Sequence, residues 1–323
     1  MQRLFAVFIV ACLTGGCGVP SLLITPVRNT NTLEEVDAQP GKGFRQGKIA
    51  MIPVDGMLIN ANGGGFLQPT ENPLSLFTQQ LEEAERDGAV KAVVLRVNSP
   101  GGTVTTSDAM YQELLRFKAR THKPVVASCQ EVCASGAYYV SCGADKIMAQ
   151  PTSVVGSIGV IFNTFEFEGT MGKIGMQAEA IKSGPLKDMG SPFKHLTNEE
   201  RAVMQGIVDE YYGRFLMVLK NNRTVDPAKQ TIATDGRVFS GEKAKEIGLV
   251  DDIGLLEDAL DMARKMSNSP NAKAIMYKRP YGYKGSIYAD TSVPQLQAST
   301  PVTRLELPGG PLLPSGFYYL WHP

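Results

Sequence analysis

Three short and almost uninterrupted apolar runs set the class of fold open to this chain. They are Lys48–Val54 (KIAMIPV), Ala89–Val97 with Ala92-Val93-Val94-Leu95 at its centre, and Val125–Ala127 behind Pro124. A strand that is apolar on successive residues has both faces covered, as in a parallel sheet between helical layers. Helical patterns separate the runs. Leu74, Leu76, Phe77, Leu81 and Ala84 recur at helix-like spacing in Pro73–Arg86, and a helix over Ser107–Arg120 follows the second run. Further strands are expected at Ala144–Ala149, Val154–Phe162 and Met176–Ile181. Thr197-Asn198-Glu199-Glu200 has the form of a capping box and opens a helix to about Lys220. Shorter helices are expected over Asp226–Ile232, from the cap Ser240 to Gly248, and over Leu255–Met266. Strands and helices therefore alternate from 48 to 266, an α/β pattern.

Outside that span the composition changes. Arg3 is the only charge before Arg28, Leu4–Leu13 is apolar, and Thr14-Gly15-Gly16 precedes Cys17. Residues 1–16 look like a bacterial lipoprotein signal, with lipid carried on Cys17. An uncleaved anchor reaching to about residue 25 is the alternative. Either way the body of the protein is expected on the membrane, outside the cytoplasm, in a bacterial cell envelope. Residues 17–46 read as a linker, 47–266 as the folded domain, and 267–323 as a Pro-rich extension ending in Phe317-Tyr318-Tyr319-Leu320-Trp321. That aromatic end reads equally as a disordered tail or as an extended segment docking in a groove or on a neighbouring subunit.

Charge excludes some functions. Lys+Arg and Asp+Glu number 32 each, without long runs of either sign, which argues against a nucleic-acid partner. Cys12, Cys17, Cys129, Cys133 and Cys142 lack zinc-type spacing, and His122, His195 and His322 are scattered, so no metal site is expected. Outside the cytoplasm a Cys129–Cys133 or Cys133–Cys142 disulfide is open to the chain.

Two loops could carry chemistry. The third apolar run leads through a short loop into Ala134-Ser135-Gly136-Ala137, a serine delivered to a helix N-terminus among small residues. That arrangement suits a nucleophile beside oxyanion-binding N–H groups, and equally a core serine at a tight turn. Asn98-Ser99-Pro100-Gly101-Gly102 leaves backbone N–H groups open to a ligand oxygen, although Pro-Gly commonly marks a plain turn. Ser191-Pro-Phe-Lys194 and Ser240-Gly-Glu-Lys243 both match S-x-x-K, but no S-D-N or K-T-G accompanies them, and Ser240 reads as a helix cap. Cys133 reads as a small packed hydrophobe rather than a nucleophile.

In order, the motifs Asn98–Gly102, Lys123-Pro-Val-Val-Ala-Ser128, Ala134–Tyr139, Val155-Gly-Ser-Ile-Gly-Val160, Ile181–Gly184, Lys187–Pro192, Gly236–Gly241 and Gly248–Gly254 resemble the signal peptide peptidase A family of bacterial serine peptidases. The resemblance covers roughly 47–266. It implies a fold similar to caseinolytic protease and crotonase, built of repeated ββα units in one compact domain. It further implies a Ser–Lys dyad without cofactor: Ser135 the nucleophile, Lys187 the general base, Ser157 beside the lysine amine, and Gly101 or Gly102 with Gly136 forming the oxyanion hole. Serine and lysine can come from adjacent subunits of a ring in this family, so a homo-oligomer with its site at subunit interfaces is expected. The implied substrates are cleaved signal peptides or other hydrophobic peptides. A serine hydroxyl needs a base, and a lysine serves when burial disfavours its charged form. The apolar Gly184, Pro185, Leu186 and Met189 around Lys187 suit that role, whereas an ion pair with Asp188 would oppose it. An inactive member acting as a peptide-binding scaffold is the alternative. An acyl-CoA enzyme of crotonase type fits Lys187 and the export signal less well.

Overall fold

The computed structural model describes residues 32–41, 47–61, 71–279 and 316–321. Eleven strands and eight α-helices are formed by these residues. In chain order they are β1 Glu34–Gln39, β2 Lys48–Leu58, α1 Pro73–Arg86, β3 Val90–Thr103, α2 Val104–Thr121, β4 Val125–Ala134, α3 Gly136–Ser141, β5 Lys146–Ala149, β6 Val154–Gly156, β7 Ile161–Asn163, α4 Glu168–Lys173, α5 Asn198–Asn222, α6 Gln230–Ala233, β8 Val238–Ser240, α7 Gly241–Ile247, β9 Asp252–Ile253, α8 Leu256–Met266, β10 Lys273–Lys278 and β11 Gly316–Leu320. The Lys187 segment and the putty of turns around it lie between α4 and α5.

The central sheet runs β1-β10-β2-β3-β4-β5-β9. All its pairs are parallel except β1 with β10. The apolar runs sit at its centre, covered on both faces. Ala50, Ile52, Val54, Val93 and Leu95 face a layer that includes Phe77 of α1, Leu114 and Phe117 of α2 and Phe215 of α5. Ile49, Met51, Ala92 and Val94 face Leu256, Ala259, Leu260 and Ala263 of α8. The helices start where local chemistry allows. Asn72 accepts the Ser75 N–H ahead of Pro73, and Thr197 and Glu200 form the expected capping box of α5. Ser240 caps α7, and Gly248 closes it at φ 87°, where a side chain would be strained.

Several elements differ from the sequence-based expectation. Asn98–Gly102 is not a free turn: β3 continues through it to Thr103. Val154–Phe162 is broken into β6 and β7, because Gly156 and Ser157 both take positive φ. Met176–Ile181 is exposed and forms no strand, since no neighbouring strand within the described residues offers it hydrogen-bond partners. The stretches read as linker and irregular tail each contribute strand. β1 comes from the former, and β10, at the heart of the sheet between β1 and β2, from the latter. Cys12, Cys17 and the targeting segment lie outside the described residues. Among those described, no helix is long and apolar enough to cross a membrane.

β3 and β4 each pair with three other strands, and this positions the site. β3 pairs with β4 until a register shift between Val97 and Ser99, after which Ser99 faces Cys133. β4 leaves β5 after Cys129 and takes β6 at Val132–Ala134. Two residues beyond the Ser99–Cys133 pair stand Gly101 and Ser135.

Candidate active site

Ser135 ends β4 and is the N-cap residue of α3. Its backbone is held at φ 51°, ψ −116°, a conformation that costs a non-glycine residue free energy and persists only when its surroundings enforce it. Here the enforcing contacts are the Ser135 N–H, which donates to Gly156 O at 2.7 Å, and the Tyr139 N–H, which donates to Ser135 O at 2.9 Å. The residue is 1% exposed.

Gly101, Gly102 and Gly136 close around it. Gly101 has φ 99°, and a Cβ there would overlap Tyr319 O and come within 2.6 Å of Gly136 N. A Cβ on Gly136 would overlap Ser107 Oγ and lie 3.2 Å from Gly102 N. Backbone approaches this close are open only to glycine. Four of the expected site residues are thus brought together by the fold.

Ser157 has φ 51° and is buried, its N–H donating to Arg237 O at 2.8 Å. With Ile158, Gly236 and Leu320 it lines a cavity of about 440 Å³. Lys187 is elsewhere in kind. It is exposed, in turns between α4 and α5, and no hydrogen bond joins it to Ser135 or Ser157. Asp188 does not pair with it. That carboxylate takes Lys182 Nζ at 2.7 Å and Lys194 Nζ at 2.8 Å, and these hydrogen bonds hold it down to about 2. Lys194 also reaches the buried Glu200, which it pulls below the usual glutamate range.

Cys129, Cys133 and Cys142 are free, buried thiols. Burial pushes the Cys142 thiol up to about 12 and raises Cys129 as well, so neither supplies a thiolate at neutral pH. Cys133 Sγ lies 3.4 Å from Ser141 Oγ, packed as expected. The one set of described side chains close enough to share a metal ion is Glu166, Glu168 and His195. All three are exposed, with His195 Nδ1 2.7 Å from Glu166, the geometry of an ordinary surface hydrogen bond.

The arrangement holds one element that the motifs did not place. β11 pairs antiparallel with β3, Tyr319 facing Gly102 and Leu320 facing Gly101, and on its other side with β7. Tyr319 is fully buried, stacked on Tyr139 with centroids 5.1 Å apart and tilted against Phe215 at 4.9 Å. Tyr139 in turn donates to Asp108 at 2.7 Å, and Asp108 receives a bidentate Arg214. The only signal for this in the sequence is the apolar run Phe317–Trp321 inside a Pro-rich stretch. Nothing in the residues says where that run docks.

Comparison with known proteins agrees with this geometry. The profile of Peptidase family S49 matches residues 118–269. A provisionally named signal peptide peptidase SppA of Enterococcus faecium is 36% identical over 247 residues, which cover 76% of this chain and 70% of that protein. A provisionally named protease of Methanocaldococcus jannaschii is 37% identical over 215 residues, 67% of this chain and 68% of that one. Protease 4 of Salmonella typhi is 34% identical over 68% of this chain, which spans about a third (35%) of that longer protein. With 36% identity over 76% of its length to such a relative, the chain belongs to peptidase family S49, the family of signal peptide peptidase SppA, and is a serine protease.

Proposed function

We propose that this protease is a membrane-attached endopeptidase of the bacterial cell envelope. In this reading it hydrolyses cleaved signal peptides and other hydrophobic peptides, with Ser135 as nucleophile and Lys187 of an adjacent subunit as general base. The observation that carries the reading is Ser135 itself, held in a strained conformation at a helix N-terminus beside three glycines. Ser135 Oγ attacks the substrate carbonyl carbon, and its proton passes to the Lys187 amine. The developing oxyanion is received by the Gly136 N–H together with that of Gly101 or Gly102. The lysine returns the proton to the departing amine and leaves an acyl ester on Ser135. A water activated by the same lysine then releases the acid. Ser157 orients the amine. Attachment through the N-terminal segment, by lipid on Cys17 or by an uncleaved anchor, keeps the site near hydrophobic substrates.

The exposure of Lys187 supports a site shared between subunits. Its segment exposes the large apolar side chains Phe165, Phe167, Ile174, Met176, Ile181 and Phe193, as a surface covered by a partner would. A second copy of the chain is the occupant that both covers this surface and completes the site, as in a homo-oligomeric ring. Burial against that copy disfavours a charged amine, which is the condition for a lysine to accept a proton.

Subunit mixing tests this. Ser135→Ala and Lys187→Ala should each abolish cleavage of a hydrophobic, signal-like peptide while leaving assembly intact. Each site needs its serine and its lysine from different subunits. Equal amounts of the two variants, dissociated and reassembled together, should therefore recover about a quarter of the wild-type rate for random neighbours. Full activity in Lys187→Ala alone would remove the lysine from the mechanism. A mixture as inactive as its parents would put both groups on one chain.

A further inference from the structure

Lys187 is followed by an acid, an unfavourable neighbour for a base. A carboxylate beside an amine favours the charged form and so keeps the proton where the mechanism needs it removed. The fold turns Asp188 elsewhere. Three overlapping turns, closed by the N–H groups of Lys187, Met189 and Ser191 on the carbonyls of Gly184, Leu186 and Asp188, double the chain back on itself. Gly190, at φ 77°, permits the last of them. The lysines six residues before and six residues after Asp188 thereby meet on its carboxylate, Lys182 Nζ at 2.8 and 2.7 Å from the two oxygens and Lys194 Nζ at 2.8 Å from Oδ1. Lys194 carries the tie on to Glu200, whose other oxygen accepts the Thr197 N–H at 3.0 Å in the first turn of α5. The loop bearing Lys187 is thus pinned to the start of α5. Among the described residues, the Lys187 amine has no ion pair of its own.

The remaining charges around the loop are accounted for. Glu166, ahead of α4, bonds to His195 Nδ1, and Glu168, at the start of α4, accepts the His195 N–H. Lys173 closes α4. Arg201 of α5 lines a cavity with Lys194, and Glu199 stands in the same first turn. Asp188 is therefore the carboxylate placed next to the base, and its two lysines hold it down to about 2, so that it stays charged and engaged at neutral pH.

We propose that Lys182, Asp188 and Lys194 are positioning residues for the general base: the two lysines engage the carboxylate beside Lys187, so that the Lys187 amine reaches the serine of a neighbouring subunit without an ion pair of its own. This deepens the function proposed above and rests on Lys187 being the base.

The test reads kcat/KM for a hydrophobic, signal-like peptide against pH in the assembled full chain, where the acid limb follows the base that must lose its proton. Lys182→Met takes one cation from Asp188 and lets the carboxylate turn toward Lys187. The limb should move up by about 1 pH unit, a loss of about 10-fold at a fixed pH below it. Damage that is merely structural would lower the plateau above the limb and leave the limb in place. Lys182→Arg keeps the charge and should keep the limb. In Lys182→Met combined with Asp188→Asn the carboxylate is gone, and the limb should return to the wild-type position or below it, although the tie is broken. His195→Gln should not move the limb. A limb unmoved by Lys182→Met, equally high in the double variant, or displaced by His195→Gln would overturn the proposal. Lys187→Ala keeps the two readings apart. An active Lys187→Ala would sink the mechanism and this inference with it, whereas an inactive one, with the limb unmoved in Lys182→Met, would sink only the role given to Lys182, Asp188 and Lys194.

Discussion

A methyl group on residue 136 has no room. A Cβ built there overlaps Ser107 Oγ and stands 3.0 Å from Tyr319 O and 3.2 Å from Gly102 N. Only the first obstacle is a side chain, and it is buried and donates to Thr103 O at 3.0 Å, so it moves aside only by giving up that bond. Gly136→Ala must therefore displace the start of α3. Overpacking of this kind costs about 1–3 kcal/mol, a fall in Tm of roughly 2–5 °C for a chain of this size. The effect on turnover should be larger. With the Gly136 N–H as the proposed oxyanion donor, moving it should lower kcat by about 10²- to 10³-fold. Ser107→Ala removes the obstructing oxygen at a cost of about 1 kcal/mol for its hydrogen bond. In the double variant the two losses should then fall short of additivity by about 1–2 kcal/mol. Thermal unfolding and steady-state peptide hydrolysis on the four proteins measure both quantities. Wild-type kcat in Gly136→Ala, or strictly additive losses in the double variant, would refute the assignment.

Two further predictions concern ion pairs that shape the molecule. Arg223 is nearly buried, with Nη1 2.7 Å from Asp251; burial pushes the Asp251 carboxyl up, but the hydrogen bonds from Arg223, the Ile147 N–H and Lys146 together with the Arg223 charge hold it below the usual range. Asp251→Ala leaves a buried guanidinium unpaired and should cost about 3–5 kcal/mol in denaturant unfolding, and a loss below 1 kcal/mol would show that Arg223 finds another partner. Asp188 titrates at about 2 in the folded chain against an ordinary 3.8. Its tie to Lys182 and Lys194 is therefore complete above about pH 4 and lost as pH falls toward 2. Amide exchange in the Lys182–Glu200 segment, corrected for intrinsic rates, should accelerate over that window, and Asp188→Asn should abolish the step.

How far the residues alone reach can be followed element by element. α1 came out at its expected bounds, and α5 with its capping box, because a cap, a proline at the first turn and an apolar stripe act within a few residues of one another. The central strands were readable for a related reason, since burial on both faces leaves a run with no polar interruption. Met176–Ile181 failed because alternation of apolar residues does not supply a pairing partner. β10 was overlooked because Ala274–Tyr277 is short and follows a polar turn, yet it lies between β1 and β2. The site divides in the same way. Ser135 and the glycines carry local signatures, a small residue beside a nucleophile or at a strained φ. Asp108 and Arg214, which hold Tyr139, are 106 residues apart and look like any surface acid and base.

Sequence by itself determined the α/β class and most of the elements from 48 to 266, while Ser135 and its glycines were singled out by the resemblance to the signal peptide peptidase A family. The class and the elements follow from periodicity and capping, which act locally along the chain. Only the tertiary structure decided that β3 and β4 each pair with three other strands, that Lys187 faces solvent while Ser135 is buried, and that the aromatic run at Phe317–Leu320 pairs with β3 and β7. Those outcomes depend on register and on which strand edges are left unpaired, and a backbone edge hydrogen-bonds any extended segment that reaches it, whatever the side chains spell.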